Sequence, residues 1–365
     1  MSQGKNSKVK LVVVTVVVLA IAAAIGFGAY KGRTKESAPS ELAFSAGDSK
    51  ASGGNNAGKT KKDVLRTWTR KDCSLAPWLV TDKLGYFEEE GIELKFTGEL
   101  QTNQQIPSII SGDNDVSSVH PNSLAVAVNG GAKLKGVSRG ILEPDESVDP
   151  KFRHMWYFVN PSKHPDIKSF EDLKKLPGEI KVTTAAINQC TDFITNVLAK
   201  KYGIPKDKFK WVTMQDLQAT QALKQGLVDL APVHPPFYKG MEDAGELKIA
   251  DSFESDLGPA AGLTIYYFRE EFIEKNPDLV KRFVRAISKG QRYANEHPEE
   301  VAKWVEEAIG VPVTGNHYYC TDTTIDESQL IPWLKQLEEN KVIPKGKLKP
   351  SDLVTHVFEK YGNEG

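Results

Sequence analysis

Beyond residue 62 the apolar positions fall into short runs separated by stretches with helical spacing. This strand–helix alternation predicts an α/β fold in which crossover helices flank a sheet. Residues 64–69, 92–96, 116–119 and 180–184 read as strands. Residues 77–90 read as one helix closed by Gly91, 102–111 as a second, and 123–129 as a third, stopped by Gly130 and Gly131. Farther on, 271–294 and 298–308 carry apolar residues at helical spacing, with Phe283, Val301 and Trp304 on the expected core face.

The amino end has a different texture. Lys5, Lys8 and Lys10 precede an apolar run over residues 11–25 that continues through Gly26, Phe27, Gly28 and Ala29 to Tyr30. Such a run of about 20 residues behind a positive flank sends the following chain across a membrane. Residues 1–30 therefore read as a signal peptide or a membrane anchor, and both stay open. No Cys lies near the end of the run, so a lipid-modified cysteine is not expected there. Residues 31–62, rich in Ser, Gly, Ala, Asn and Lys, read as a flexible linker.

A length of 365 residues exceeds one ordinary domain and predicts about two lobes after the tail. With 40% hydrophobic and 26% charged residues, collagen-like, wholly disordered and multi-span membrane classes are excluded. The net charge of −1 gives no reason to expect a nucleic-acid partner. Three Cys in so long a chain exclude a scaffold built on disulfides.

The most informative feature is a pattern that occurs twice. Residues 105–121 read QIPSIISGDNDVSSVHP and 218–235 read QATQALKQGLVDLAPVHP. Gly112 matches Gly226, Asp115 matches Asp229, Val119 matches Val233, and His120-Pro121 matches His234-Pro235. Each copy reads as a helix ended by Gly, a short strand, and His-Pro at its close, which makes a duplicated βα unit. Upstream, each half also has a strand leading into a loop with a Cys, Cys73 in one and Cys190 in the other. All four loops lie at carboxyl ends of strands, the edge where open α/β sheets bind ligands.

Several segments in fixed order carry a resemblance. They are Ala76-Pro77-Trp78, Lys83-Leu84-Gly85-Tyr86-Phe87-Glu88-Glu89-Glu90-Gly91-Ile92, Ser111-Gly112-Asp113-Asn114-Asp115 and Gly131-Ala132-Lys133-Leu134-Lys135. Ile167-Lys168-Ser169-Phe170-Glu171-Asp172-Leu173-Lys174, the stretch from Phe272 to Phe283, and His297-Pro298-Glu299-Glu300-Val301-Ala302 follow. Over about residues 64–310 the chain resembles ABC-importer solute-binding proteins of the branch serving aliphatic sulfonates, taurine, nitrate and thiamin-precursor pyrimidines. The resemblance implies a two-lobed periplasmic-binding-protein type II fold. Lobe 1 would comprise residues 64–159 and 265–365, and lobe 2 residues 160–264, with crossings near 158–161 and 262–267. It further implies an extracytoplasmic, monomeric carrier, possessing no cofactor, that closes over a small solute and docks on an ABC permease. Closure requires a ligand that touches both lobes, because only differential binding shifts an open–closed equilibrium.

Candidate ligand contacts are Cys73, Ser74, Trp78, Ser117, Ser118 and His120 from one lobe, and Asn188, Gln189, Cys190, Thr191, His234 and Phe237 from the other. Ser74 and Thr191 also suit helix caps, and Phe237 and Tyr238 suit core or surface packing. Helix amino-termini at these loops favour an anion, with Arg139 as its cationic partner or as a plain surface residue. Cys73, His120, Cys190 and His234 also make a donor set of two sulfurs and two imidazoles suited to zinc. Their sequence spacing is unlike a preformed metal site, which weighs against that reading. A Cys73–Cys190 disulfide would lock the lobes shut and is not expected. Cys320 reads as a packed thiol, and Glu88, Glu89 and Glu90 as a solvated face or a permease contact.

Two other classes compete with the carrier. A thiamin-pyrimidine-synthase-like enzyme would share the fold, but its cluster of Cys around one Phe is missing here, as are nucleophile-elbow, phosphate-loop and HExxH motifs. A membrane-tethered solute sensor would need a separate signalling partner.

Overall fold

The computed structural model describes residues 62–364, so the expected leader or anchor and nearly all of the linker lie outside the described residues. Among the described residues no helix is long and apolar enough to cross a membrane. The chain opens with strand β1 (Asp63–Thr69), helices α1 (Ala76–Lys83) and α2 (Tyr86–Glu89), β2 (Ile92–Glu99), α3 (Thr102–Ser111), β3 (Val116–Val119) and α4 (Pro121–Asn129). It continues through β4 (Leu134–Arg139), β5 (Ile141–Leu142), β6 (Trp156–Val159), β7 (Ile180–Thr184), α5 (Cys190–Lys201), β8 (Phe209–Thr213), α6 (Asp216–Lys224), β9 (Ala231–Val233), α7 (Tyr238–Asp243) and β10 (Leu247–Asp251). The last part holds β11 (Ile265–Arg269), α8 (Glu270–Lys275), α9 (Pro277–Glu296), α10 (Pro298–Ile309), β12 (Tyr318–Tyr319), α11 (Ile331–Glu339) and α12 (Pro350–Leu353).

Two strand groups share one topology. In the first, β1 and β2 are parallel, and β11 runs antiparallel between β3 and β4. In the second, β7 and β8 are parallel, and β6 runs antiparallel between β9 and β10. The same device joins the halves of each group. The amide of Asp115 donates to the Arg66 carbonyl at 2.9 Å while its carboxylate accepts the Arg66 amide at 3.0 Å. Asp229 does the same with Lys181, at 2.9 Å both ways. Each acid also meets a basic side chain, Arg66 in one group and Lys163 in the other.

The duplication runs deeper than the matched motif. Gly112 and Gly226 both adopt positive φ, 87° and 68°, which a Cβ would disfavour. The preceding helices α3 and α6 both open on a Gln cap closed by a second Gln three residues on, Gln101 with Gln104 and Gln215 with Gln218.

The helices shield the sheets. Along α9, Leu279, Val280, Phe283, Val284 and Ile287 form one buried stripe, and Phe283 stacks with Phe87 and packs edge-on against Phe268 and Tyr266. β11 is buried over four of its five residues because helices cover both faces. From α11, Trp333 enters the core built around β6, β7 and α5, its ring tilted against Phe193 at 4.0 Å. Its neighbours Leu330, Leu334 and Leu337 pack with β11 and α4 residues instead.

Two expected helices are each broken. Residues 77–90 divide into α1 and α2 at Gly85, which takes φ 77°. Residues 271–294 divide into α8 and α9 at Pro277, whose missing amide cannot continue a helix. The crossing expected at 158–161 falls on β6, which is already hydrogen-bonded to strands on both sides. The acidic run is paired: the exposed Glu88 and Glu89 meet Lys62 and Lys289, and the largely buried side chain of Glu90 meets Arg285.

Helices α1 and α9 meet at Gly290, where an added Cβ would lie 2.0 Å from Thr81 Oγ1 and 2.8 Å from the Pro77 carbonyl oxygen. Gly290→Ala is expected to destabilise the protein by about 1–3 kcal/mol, the usual overpacking range. Urea unfolding followed by circular dichroism measures it. An unchanged midpoint would mean that the two helices part without cost.

Candidate functional site

Strand-end loops from both groups surround a cavity of about 470 Å³. After β1, Asp72 caps a short 3-10 turn by accepting the Ser74 amide, which fixes the turn over Arg70, Lys71 and Asp72 at the cavity wall. After β3, Pro121 opens α4 and leaves His120 in extended backbone at its amino end. After β7, the chain bends through Asn188 at φ 64° before Cys190 opens α5. Asn tolerates this left-handed conformation better than most residues. The Gln189 amide donates to Asp192 at 2.8 Å, so Gln189 and Asp192 cap α5, and Thr191 does not. After β9 comes His234.

Of the residues singled out in the sequence, Ser74, Ser118, His120, Gln189, Cys190, Thr191, His234 and Phe237 line the cavity. Four others do not. Trp78 is fully buried among Tyr266 and Phe283. Ser117 is buried, accepting from Arg70 at 2.6 Å. Asn188 reaches α4 through its carbonyl, which accepts from Ser123 at 3.4 Å. Cys73 sits in an apolar cluster with its thiol donating to the Gly315 carbonyl, so it does not join the histidines. Burial raises its pKa well above that of an ordinary thiol. Cys320 is buried likewise, and all three cysteines are free.

Arg139 also lies outside the cavity, held by the Asp322 carbonyl and Gln329. The buried cation that lines it is Arg70, which the sequence reading passed over. Its guanidinium lies between Trp68 and Trp78, 5.1 and 4.4 Å from the ring centres, and donates to Ser117 and to the Trp68 carbonyl. Burial lowers its pKa to about 10, which still leaves it charged at neutral pH. Tyr238 is buried, stacked on Trp156 at 4.3 Å.

Four of the seven histidines of the chain converge. The His154 ring centre is 5.1 Å from that of His120, 4.9 Å from His234 and 5.1 Å from His317. All four line the cavity together with Cys190. Cys190 Sγ is 3.2 Å from His234 Nε2, and His234 Nδ1 is 2.7 Å from Asp216 Oδ2. His120 Nδ1 is 2.8 Å from the Leu263 carbonyl, and the His120 ring stacks on Trp333. His154 is held from behind, its amide donating to Glu143 at 3.0 Å. Among the described residues, both ring nitrogens of His154 and Nδ1 of His317 are buried with no hydrogen-bond partner. Leaving one such group unsatisfied ordinarily costs about 1–3 kcal/mol.

The cluster sets its own protonation. Burial drives His154 down to about 4 and His317 well below the usual imidazole value, so both are neutral at pH 7. Burial alone would raise the Cys190 thiol, but His120 and His234 reverse the sign and hold it well below an ordinary thiol. Its place at the first position of α5 acts in the same direction. Burial would lower His234, yet Cys190 and Asp216 raise it instead.

His154, His317, Asp216 and Arg70 escaped the sequence reading. The signals for His154 and His317 were confined to the small number of histidines in the chain, since neither belongs to the repeat.

Comparison with known proteins agrees with this architecture. A family model described as NMT1/THI5 like matches residues 73–301, and the chain belongs to that family. It is 31% identical over 133 residues to the taurine-binding periplasmic protein of Escherichia coli (strain K12). That match takes in 33% of this chain and only 41% of the relative. Among solved structures it is similar to the periplasmic nitrate-binding protein NrtA of Synechocystis PCC 6803, with TM-score 0.68, 11% identity, and coverage of 84% of this chain and 89% of the other. It is also similar to the periplasmic aliphatic sulphonate binding protein SsuA of Escherichia coli, with TM-score 0.63, 16% identity, and coverage of 80% and 92%. At these identities the likeness concerns the fold, the two-lobed α/β architecture of periplasmic binding proteins.

Cys190 opens on the cavity beside a histidine, whereas Cys73 and Cys320 face the core. Brief treatment of the native protein with iodoacetamide is expected to alkylate Cys190 first, measured by peptide mass spectrometry. Equal labelling of the three would show that Cys190 is sealed from the cavity.

Proposed function

We propose that the chain is an extracytoplasmic solute-binding protein that closes over a small anionic solute and delivers it to an ABC permease in the membrane. The observation that carries this reading is one cavity walled by strand ends of both groups, with the buried cation Arg70 on its lining. On this reading lobe 1 consists of β1–β4 with β11, and lobe 2 of β6–β10. The chain then crosses between β5 and β6, earlier than residues 158–161, and returns between β10 and β11. Hydrogen bonds from Gln215 to Thr102 and from Ser123 to Asn188 tie the lobes across the cavity. The taurine, sulfonate and nitrate proteins to which the chain is similar support an oxyanion solute, an extracytoplasmic setting and a permease partner. The carrier acts as a single chain, with its apolar amino-terminal run either removed or kept as a tether.

A second reading, a thiol-dependent enzyme, draws on the Cys190–His234–Asp216 relay, in which a carboxylate orients an imidazole toward a sulfur. One experiment addresses both. Taurine, methanesulfonate and nitrate are titrated calorimetrically into the full chain, lobe closure is followed by small-angle scattering, and the solute is recovered for mass analysis. A carrier binds at least one of them, contracts, and returns it unchanged; a chemically altered solute would overturn the carrier reading in favour of the enzyme. Arg70→Gln is expected to weaken binding by about 10–100-fold, the loss of about 1.5–3 kcal/mol from a charged hydrogen bond. Unchanged affinity would remove Arg70 from the site.

A further inference from the structure

The carrier reading leaves the histidine cluster without a task. Anion capture at Arg70 needs no imidazole, and the Cys190 relay needs only one. We propose that the cluster binds a late transition-metal ion of the zinc class, with His120, His154 and Cys190 as primary ligands and His234 as the fourth. This rests on the carrier reading for the cavity's role as a capture site and adds a metal subsite beside the anion site at Arg70.

Four observations converge on the metal. Donor atoms of His120, His154 and Cys190 all lie within 4.8 Å of one another. Bonds of about 2.0–2.3 Å to one zinc ion hold donors less than about 4.6 Å apart, so small side-chain rotations bring the three to one ion. His120 and His234 are already oriented for ligation. Each offers Nδ1 to an oxygen, the Leu263 carbonyl or the Asp216 carboxylate. An oxygen of that kind accepts only, so Nδ1 carries a proton in each ring and Nε2 is the nitrogen left to face the cluster. Metal-binding histidines are held by outer carbonyl and carboxylate partners in the same way.

His154 and His317 supply the third observation. Both are at least nine-tenths buried, and three of their ring nitrogens have no hydrogen-bond partner among the described residues. An ion at the cluster would take up one of the two unpartnered nitrogens of His154. The fourth is the donor type: imidazoles with one thiolate suit zinc and copper, not magnesium or calcium, which take oxygen ligands. The cavity wall gives the ion a path in. Cys73, the other thiol the sequence offered for this set, is replaced by His154.

The full chain, stripped with EDTA, is dialysed against zinc chloride or magnesium chloride, and bound metal is measured by plasma mass spectrometry. The expected result is about one zinc per chain and no retained magnesium. Cobalt(II) in place of zinc should give a thiolate-to-cobalt charge-transfer band that Cys190→Ser abolishes. His120→Ala and His154→Ala should each lower zinc affinity at least about tenfold, while His356→Ala, at a surface ion pair, should not. Zinc retained undiminished in the His120→Ala/His154→Ala/Cys190→Ser variant overturns the proposal. Zinc should also protect Cys190 of the unaltered protein from iodoacetamide, a measurement that no folding defect can mimic, and absence of protection counts against the site. Retention of zinc with no lobe closure on any solute supports the site and overturns the carrier reading alone. Closure on taurine or nitrate with no zinc retained overturns the site and leaves the carrier reading standing.

Discussion

The structure depends on a locked register, made twice. Asp115 and Asp229 each grip the backbone of the neighbouring parallel strand with both an amide and a carboxylate. That grip decides where β3 and β9 end, and therefore where His120 and His234 stand. A strand slipped by one residue would turn every side chain to the opposite face. Each carboxylate is neutralised by a basic neighbour, Asp115 by Arg66 and Asp229 by Lys163. The Gln caps and positive-φ glycines at the two ends of α3 and α6 then fix how far each helix stands from its strand.

From that frame the cavity acquires two unlike regions. Arg70 between its tryptophans is a hard, permanent cation whose hydrogen bonds run to Ser117 and backbone oxygen. The histidine cluster is the reverse, largely neutral and rich in lone pairs, with charge concentrated on the Cys190–His234–Asp216 line. Burial explains the division. His154 and His317 are buried too deeply to carry a second positive charge, so the proton collects where the Asp216 carboxylate can answer it.

Much of this was legible in the sequence. The strands at 116–119 and 180–184, the helix at 102–111 and the paired His-Pro turns are where the patterning puts them, because the repeat supplied two independent views of one unit. The failures have physical causes. Cys73 looked equivalent to Cys190 because both follow a first strand in their half. In the structure, however, the residue that opens the helix after β1 is Ala76, and Cys190 opens the helix after β7. Three residues of extra turn, capped by Asp72, carry Cys73 into the core. His154 and His317 come from connecting segments, which have no periodicity to read and reach the cavity only through tertiary packing. Arg139 and Arg70 look alike in sequence, and burial between two aromatic rings, not composition, separates them.

The position of α11 connects these points. Trp333 lies against Phe193 in the second strand group and under the His120 ring from the first, while its helix neighbours pack on β11 and α4. Its indole N–H is satisfied by the Ala260 carbonyl at 3.0 Å, so the ring is held from three sides. A side chain shared in this way cannot keep all its contacts if the groups separate. The contacts with His120 and Phe193 are then partly lost together, at about 0.5–1.5 kcal/mol for each. On the proposed carrier function, a ligand that draws His120 toward the opposite wall acts on the same ring that holds the two groups together, so occupancy of the cavity would be coupled to its closure.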